Sequence, residues 1–281
     1  MKIKITSDST CDLSHEQIQQ HGIHIMPLAV AMGEKNYRDG VDIAPAQIYA
    51  HVSGGGDLPK TAANNIADYQ AVFAKYAAEY DAVIHLNISA DFSSCYQNAC
   101  LAAEDFDNVH VVDSRNLSTG HGLLVLKAAE LAQTGKSGAE IADELRATAA
   151  RVDASFILNQ LEYLKKGGRC SALTVLGANM LKLKPCIEVK EGKMGVGKKY
   201  RGAFEKCLKE YITDRLSGRE DLELNRVFVT HSGISEELVD MAVNTVRELQ
   251  PFQEICVTQA GCTVSSHCGP DTIGVLYIHK S

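Results

Sequence analysis

Short β-branched runs alternate with amphipathic stretches through the first half of the chain. Residues 3–6, 82–88 and 109–113 read as strands, and the apolar run 23–32 reads as a further extended segment. Helices are expected over 14–21, from Pro45, over 66–79 and 93–106, and over 122–133 and 139–151. Their ends carry boundary chemistry: Ser14 with Gln17 three residues on suits a capping box, Gly22 follows the first helix, and Gly135-Lys136-Ser137 separates the last two. The Gly54-Gly55-Gly56 run and the Leu58-Pro59-Lys60-Thr61 turn interrupt the pattern. Strands that alternate with helices in this way build a parallel sheet, because parallel neighbours need a crossover between them.

Beyond about residue 153 the rhythm changes. Strands are expected over 156–158, 186–190, 226–230, 254–258 and 274–279, and helices over 203–216 and 236–249. The Glu191-Gly192-Lys193 turn suggests a hairpin, which requires antiparallel pairing. The expected fold class is α/β, with a parallel α/β/α domain over 1–153 and a mixed α+β domain over 154–281 whose sheet is mixed or antiparallel. At about 150 residues per domain, a chain of 281 residues holds roughly two domains, each large enough for its own core.

Composition narrows the function classes. With 45% hydrophobic and 22% charged residues the chain is globular, not disordered or fibrous. The net charge of −7 is unevenly spread: residues 1–150 hold 10 Lys/Arg against 19 Asp/Glu, and the remainder holds 18 against 16. No cationic stripe stands out, which argues against general nucleic-acid binding. The opening residues reach Asp8 and Asp12 before any apolar run of signal length, and no window holds 18 consecutive apolar residues. Nine scattered cysteines, an odd number, suit reduced thiols, so a cytoplasmic protein without membrane insertion is expected.

Two near-matches to a phosphate-binding loop fail on inspection. In the run from Gly192 to Lys198, Lys199 stands where a magnesium-ligating hydroxyl is needed, and Glu130 occupies the first-glycine position before Thr134-Gly135-Lys136-Ser137. There is no G-x-G-x-x-G at a helix start, no G-x-S-x-G elbow and no C-x-x-C or H-E-x-x-H, so no cofactor or metal is expected. Four turns place polar groups within reach of a ligand: Thr61, Ser93-Ser94-Cys95, Lys165 to Arg169, and His267-Cys268-Gly269-Pro270. Taken singly, each has a structural explanation as a cap, a surface ion pair or an ST-turn. Taken together they supply hydroxyls, a guanidinium and an imidazole, the equipment for holding one carboxylate or phosphate. A nucleophile reading, Ser93 or Cys95 with His267 as base in an acyl hydrolase or transferase, is the alternative.

Those turns are also where the chain resembles a known family. Ser7-Asp8-Ser9-Thr10-Cys11-Asp12-Leu13 looks like the D-S-x-x-D-L opening of the DegV family, Pro59-Lys60-Thr61 like its P-K-T-S turn, and Ser93-Ser94-Cys95-Tyr96-Gln97 like its S-G-T-Y-Q helix start. Val112-Asp113-Ser114, Gly122-Leu123-Leu124-Val125, the segment from Glu162 to Arg169, Lys184-Pro185 with Gly192-Lys193, and His267-Cys268-Gly269-Pro270 follow its pattern in order. The resemblance implies two α/β domains with a long-chain fatty acid in a tunnel between them. Its carboxylate would be held by Thr61, Ser93, Ser94, Arg169 and His267. It also implies a FakB-like role, in which a non-catalytic binding subunit presents the acid to a separate fatty acid kinase for acyl-phosphate formation. The basic stretch 182–209, with nine Lys/Arg against three Asp/Glu and including Lys199 and Arg201, is a candidate docking surface for that kinase. Departures from the pattern cluster at the site: Ser94 replaces a glycine, Cys95 a threonine, Phe92 a leucine, Ala62 a serine, and Cys268 with Asp271 alter the last turn.

Overall fold

In the computed structural model, which describes residues 1–171 and 183–281, the first half folds as an ordered series. It comprises β1 (Ile3–Asp8), α1 (His15–Gln20), β2 (His24–Met26), β3 (Ala29–Met32), β4 (Lys35–Arg38), α2 (Pro45–Ser53), β5 (Lys60–Ala62), α3 (Ile66–Ala77), β6 (Ala82–Asn87), α4 (Cys95–Ala103), β7 (Val109–Asp113), α5 (Ser118–Leu131) and α6 (Gly138–Ala149). β2, β1, β6 and β7 form a parallel sheet in that order. Helices cover both faces, so β6 is buried along its whole length, the polar His85 and Asn87 included. Val83 packs with Tyr69 and Phe73 of α3 and Ala99 of α4. Ile84 and Leu86 face the other way, toward Leu124 of α5 and Ile141 and Leu145 of α6.

The apolar run 23–32 does not form one extended segment. Pro27 divides it, and while β2 pairs with β1, β3 pairs antiparallel with β4 and β5 in a separate three-stranded sheet that the sequence pattern did not suggest. This small sheet reaches across the molecule: Val30, Ile43 and Ile48 form one apolar cluster with Cys262 of the second half.

The second half comprises β8 (Val152–Leu158), α7 (Glu162–Gly167), β9 (Leu183–Lys190), β10 (Lys193–Arg201), α8 (Phe204–Leu216), β11 (Arg226–Ser232), α9 (Glu236–Leu249), β12 (Glu254–Gln259), α10 (Cys262–Cys268) and β13 (Thr272–Ile278). Its sheet runs β10-β9-β8-β13-β11-β12, antiparallel except for the β11–β12 pair. Glu191 and Gly192, both at positive φ (51° and 84°), make the expected hairpin turn between β9 and β10. The outer face carries α8 and α9, with Tyr211, Ile212 and Val246 packed on Val227, Val229 and Val275. The inner face, including Phe156, Phe228 and Leu276, joins the same apolar core as α5.

α5 is therefore a shared wall, which explains why nearly all its residues are buried and no polar stripe marks it. It begins at Ser118, four residues earlier than expected, where the Ser118 hydroxyl donates to Asp12 Oδ2 at 2.6 Å. Gly122 permits the close approach, since a Cβ there would sit 2.5 Å from the Cys11 carbonyl.

Polar ties also cross between the halves at the start of α10. Its sequence, Cys-Thr-Val-Ser-Ser-His-Cys, consists of weak helix formers, and no helix was expected there. Asp12 accepts from the Gly261 N–H at 2.8 Å, and Asp39 accepts from Cys262 at 2.6 Å and Thr263 at 3.1 Å. Three N–H groups that a helix start leaves open are thus met by aspartate side-chain oxygens from the first half.

Burial pushes the Asp12 carboxyl up from 3.8 to about 8, against the opposing hydrogen bonds from Ser118 and Gly261. The folded chain therefore holds a proton that the unfolded chain releases near its ordinary value, so the stability linked to it is complete below about pH 4 and lost as pH rises through about 8. Urea unfolding followed from pH 4 to 8 should show this decline, and Asp12→Asn should flatten it. An unchanged slope in the variant would contradict the assignment.

Candidate functional site

A cavity of about 260 Å³ lies between the halves, walled by both. Leu28, Ile88, Phe92 and Leu117 contribute apolar surface from the first half, and Phe156, Leu164, Val189, Met194 and Leu276 from the second. The β9–β10 hairpin closes over one side. Its tip is held to the loop before α4, where Ser89 Oγ donates to the Gly192 carbonyl at 2.8 Å and Lys193 lies 3.7 Å from Asp91. That same loop carries Phe92, Ser93 and Ser94 into the cavity wall.

Thr61, Ser93, Ser94, Arg169 and His267, singled out from four separate turns, all line this cavity. Thr61 lies on β5, which pairs with β3 through Val30, and its Oγ1 is 2.9 Å from Nε2 of His267 on α10. This contact joins residues 206 positions apart across the two halves. Two of the expected turns are helical: the segment from Glu162 to Gly167 is α7, and His267 belongs to the last turn of α10. Gly168, at φ 70°, ends α7 in the left-handed conformation that suits glycine and turns the chain toward Arg169. Gly167 makes room for the imidazole, because a Cβ there would lie 2.6 Å from His267 Nδ1. Arg169 is exposed at this end of the cavity, and its guanidinium donates to the Gly167 carbonyl at 2.9 Å. α4 begins at Cys95, two residues later than expected, with Ser93 Oγ accepting from the Cys95 N–H at 3.3 Å.

Burial, reinforced by the Arg169 charge, pushes the His267 imidazole down from 6.5 to about 4. Near neutral pH the described residues of the polar end thus bring the Arg169 guanidinium, a neutral imidazole and the hydroxyls of Thr61, Ser93 and Ser94. Among the described residues, the buried His267 Nδ1 has no hydrogen-bond partner. The arrangement suits an anionic oxygen head on an apolar tail.

It does not resemble an activated nucleophile. His267 is engaged by Thr61, and Ser93 Oγ donates to Cys95 Sγ at 3.1 Å. Burial pushes the Cys95 thiol up to about 11 and that of Cys268 to about 12, so both stay protonated near neutral pH. Among the described residues, no group of three or more His, Cys, Asp or Glu is placed to hold a metal ion, and no helix is long and apolar enough to cross a membrane.

Lys199 and Arg201 lie outside the cavity wall, exposed on β10 at the edge of the larger sheet. Lys182, the first residue of the basic stretch, falls outside the described residues. Sequence reasoning missed the inner polar positions of the cavity, among them Ser118, Thr230, Ser232 and Thr263. The one available signal was the four-residue spacing of Thr263 and His267, which places them on one face of a helix that the local composition did not suggest.

Ring chemical shifts in an NMR titration should place His267 near pH 4, and Arg169→Leu should move its midpoint upward by removing the nearby cation. A His267 midpoint near 6.5 in the unaltered protein would contradict this description of the site.

The family model described as "Uncharacterised protein, DegV family" matches residues 2–280. A DegV domain-containing protein of Caldanaerobacter subterraneus subsp. tengcongensis is 31% identical over 283 residues, covering 99% of each chain. Among solved structures, a DegV family protein from Thermus thermophilus, described for its fatty acid binding, superimposes with a TM-score of 0.89 at 32% identity, covering 99% of this chain and 100% of its own. A stearic acid-binding protein from Eubacterium ventriosum gives a TM-score of 0.83 at 29% identity, with 99% and 98% covered. The match runs from end to end and includes the turns that build the cavity, and on this ground the chain belongs to the DegV family.

Proposed function

We propose that this chain binds one long-chain fatty acid between its halves, 1–153 and 154–281, and presents the carboxylate to a separate fatty acid kinase in the cytoplasm. The carrying observation is the contact between Thr61 and His267, with Arg169 beside it, at the polar end of an otherwise largely apolar cavity. Thr61, Ser93, Ser94, Arg169 and His267 hold the carboxylate. The tail sets affinity: burying roughly 15 methylenes at about 0.8 kcal/mol each contributes on the order of 12 kcal/mol before the costs of association. Each charge-assisted contact to the head adds about 1.5–3 kcal/mol, enough to fix which end faces the polar groups.

Fatty acid binding by the Thermus and Eubacterium relatives supports the ligand class. The kinase half of the reading rests on two features. The resemblance to FakB-like binding subunits implies the separate kinase, and among the described residues the cavity lining, with its hydroxyls and the protonated Cys268 thiol, offers no activated nucleophile. Lys199 and Arg201 stand exposed on an edge strand, available to an acidic partner surface.

Arg169→Ala and His267→Ala should each weaken binding of a long-chain fatty acid by about tenfold or more while leaving the unfolding transition in place. Lys199→Glu with Arg201→Glu should leave that binding intact and reduce acyl-phosphate formation by the partner kinase. Unchanged affinity in both site variants would contradict the carboxylate assignment, and unchanged turnover in the charge-reversed protein would remove the docking role.

A further inference from the structure

Tyr49 lies on α2 of the first half and is not among the residues that line the cavity, yet its side chain ends at the junction of α7 and α10. α7 leads into Arg169, and α10 carries His267. The two helices pack closely there: a Cβ on Gly269, the residue that follows α10, would lie 2.6 Å from the Tyr163 ring of α7. That ring meets the Tyr49 ring edge to face, with centroids 6.4 Å apart and planes at 79°. Tyr49 also presses on the end of β11, where a Cβ on Gly233 would lie 2.7 Å from its Cε2, and it packs against the cluster that includes Cys262 at the start of α10.

The hydroxyl adds direction to this packing. Tyr49 Oη is bonded to Ser232 Oγ, and Ser232 has a single hydroxyl proton. That proton goes to the Gly269 carbonyl at 2.8 Å, which can only accept. The phenol is therefore the donor to Ser232, and burial keeps it protonated. Two donations in series thus run from the first half to the residue that ends α10, two positions after His267. Asp12 and Asp39 fix the start of this helix, and Tyr49 fixes its exit.

We propose that Tyr49 is a positioning residue for the head group: it holds α7 against the end of α10, so that the Arg169 guanidinium and the His267 imidazole address the same carboxylate. It acts through Tyr163 on the segment leading to Arg169, and through Ser232 and Gly269 on the exit of α10. The apolar wall that would hold a tail lacks Tyr49, so its loss falls on discrimination between head groups. This inference rests on the reading of the cavity as a fatty acid site.

Hexadecanoic acid and hexadecanol share a tail and differ in the head, so the ratio of their dissociation constants near neutral pH reads head-group recognition alone. The unaltered, delipidated protein should favour the acid by about tenfold or more. Tyr49→Phe keeps the ring and loses the donor: the preference should fall about threefold, with the His267 ring shifts still titrating near pH 4. Tyr49→Leu loses both contacts, so the preference should fall to about one and the His267 midpoint should rise as the Arg169 cation moves away from it. An unchanged preference and midpoint in folded Tyr49→Leu would overturn the positioning role. An equal loss of affinity for acid and alcohol would overturn it too, since that is the mark of a merely structural residue. Should Tyr49→Leu not fold, an unchanged preference in Tyr49→Phe overturns the proposal. Failure of the unaltered protein to bind either ligand, or to prefer the acid, would instead overturn the reading of the cavity, and this inference with it.

Discussion

Two aspartates of the first half, Asp12 and Asp39, hold the N-terminus of α10 through their side-chain oxygens, and the geometry of the site depends on that grip. A seven-residue helix built from cysteine, serine, threonine and valine has little intrinsic tendency to form. Once its first N–H groups are met, its last turn places the His267 imidazole 2.9 Å from Thr61. The small sheet carrying Thr61 is anchored through the apolar cluster of Val30, Ile43, Ile48 and Cys262, so both partners of this contact are positioned by packing across the halves. The meeting of Thr61 with His267 and the association of the halves are thus one structural problem.

The cavity follows from the same construction. α5 serves two sheets at once, and the inner face of the larger sheet joins the core beneath the parallel one. Where the two surfaces diverge, they leave an apolar space, and the elements that cross between halves supply its polar residues. Under the proposed function a tail-dominated ligand occupies this space, its chain contributing most of the affinity and a few directional groups deciding its orientation. In that reading the neutral imidazole gives hydrogen-bond direction and the nearby guanidinium gives charge.

Much of this was legible from residues alone. The parallel sheet, the two outer helices and the hairpin at Glu191-Gly192 follow from hydrophobic period and turn chemistry, signals carried within a few residues. Thr61, Ser93, Ser94, Arg169 and His267 could be named as polar groups in turns matching a family pattern, but their meeting in one cavity is a property of long-range packing. The small sheet escaped because β3, β4 and β5 have three or four residues each, and the apolar run was divided by a single proline. α10 escaped because the first half supplies its caps, over 220 residues away in the chain.

The account stands on a noncovalent amphiphile occupying the cavity head-first against Thr61 and His267. Native mass spectrometry of the protein purified from cells, followed by identification of what is released on denaturation, tests this most directly. The account predicts one long-chain fatty acid per chain, released intact on denaturation and reduced in occupancy in Arg169→Ala. Protein that emerges without lipid and takes none up when long-chain fatty acid is supplied, or that carries a covalent acyl group on Ser93 or Cys95, would contradict it.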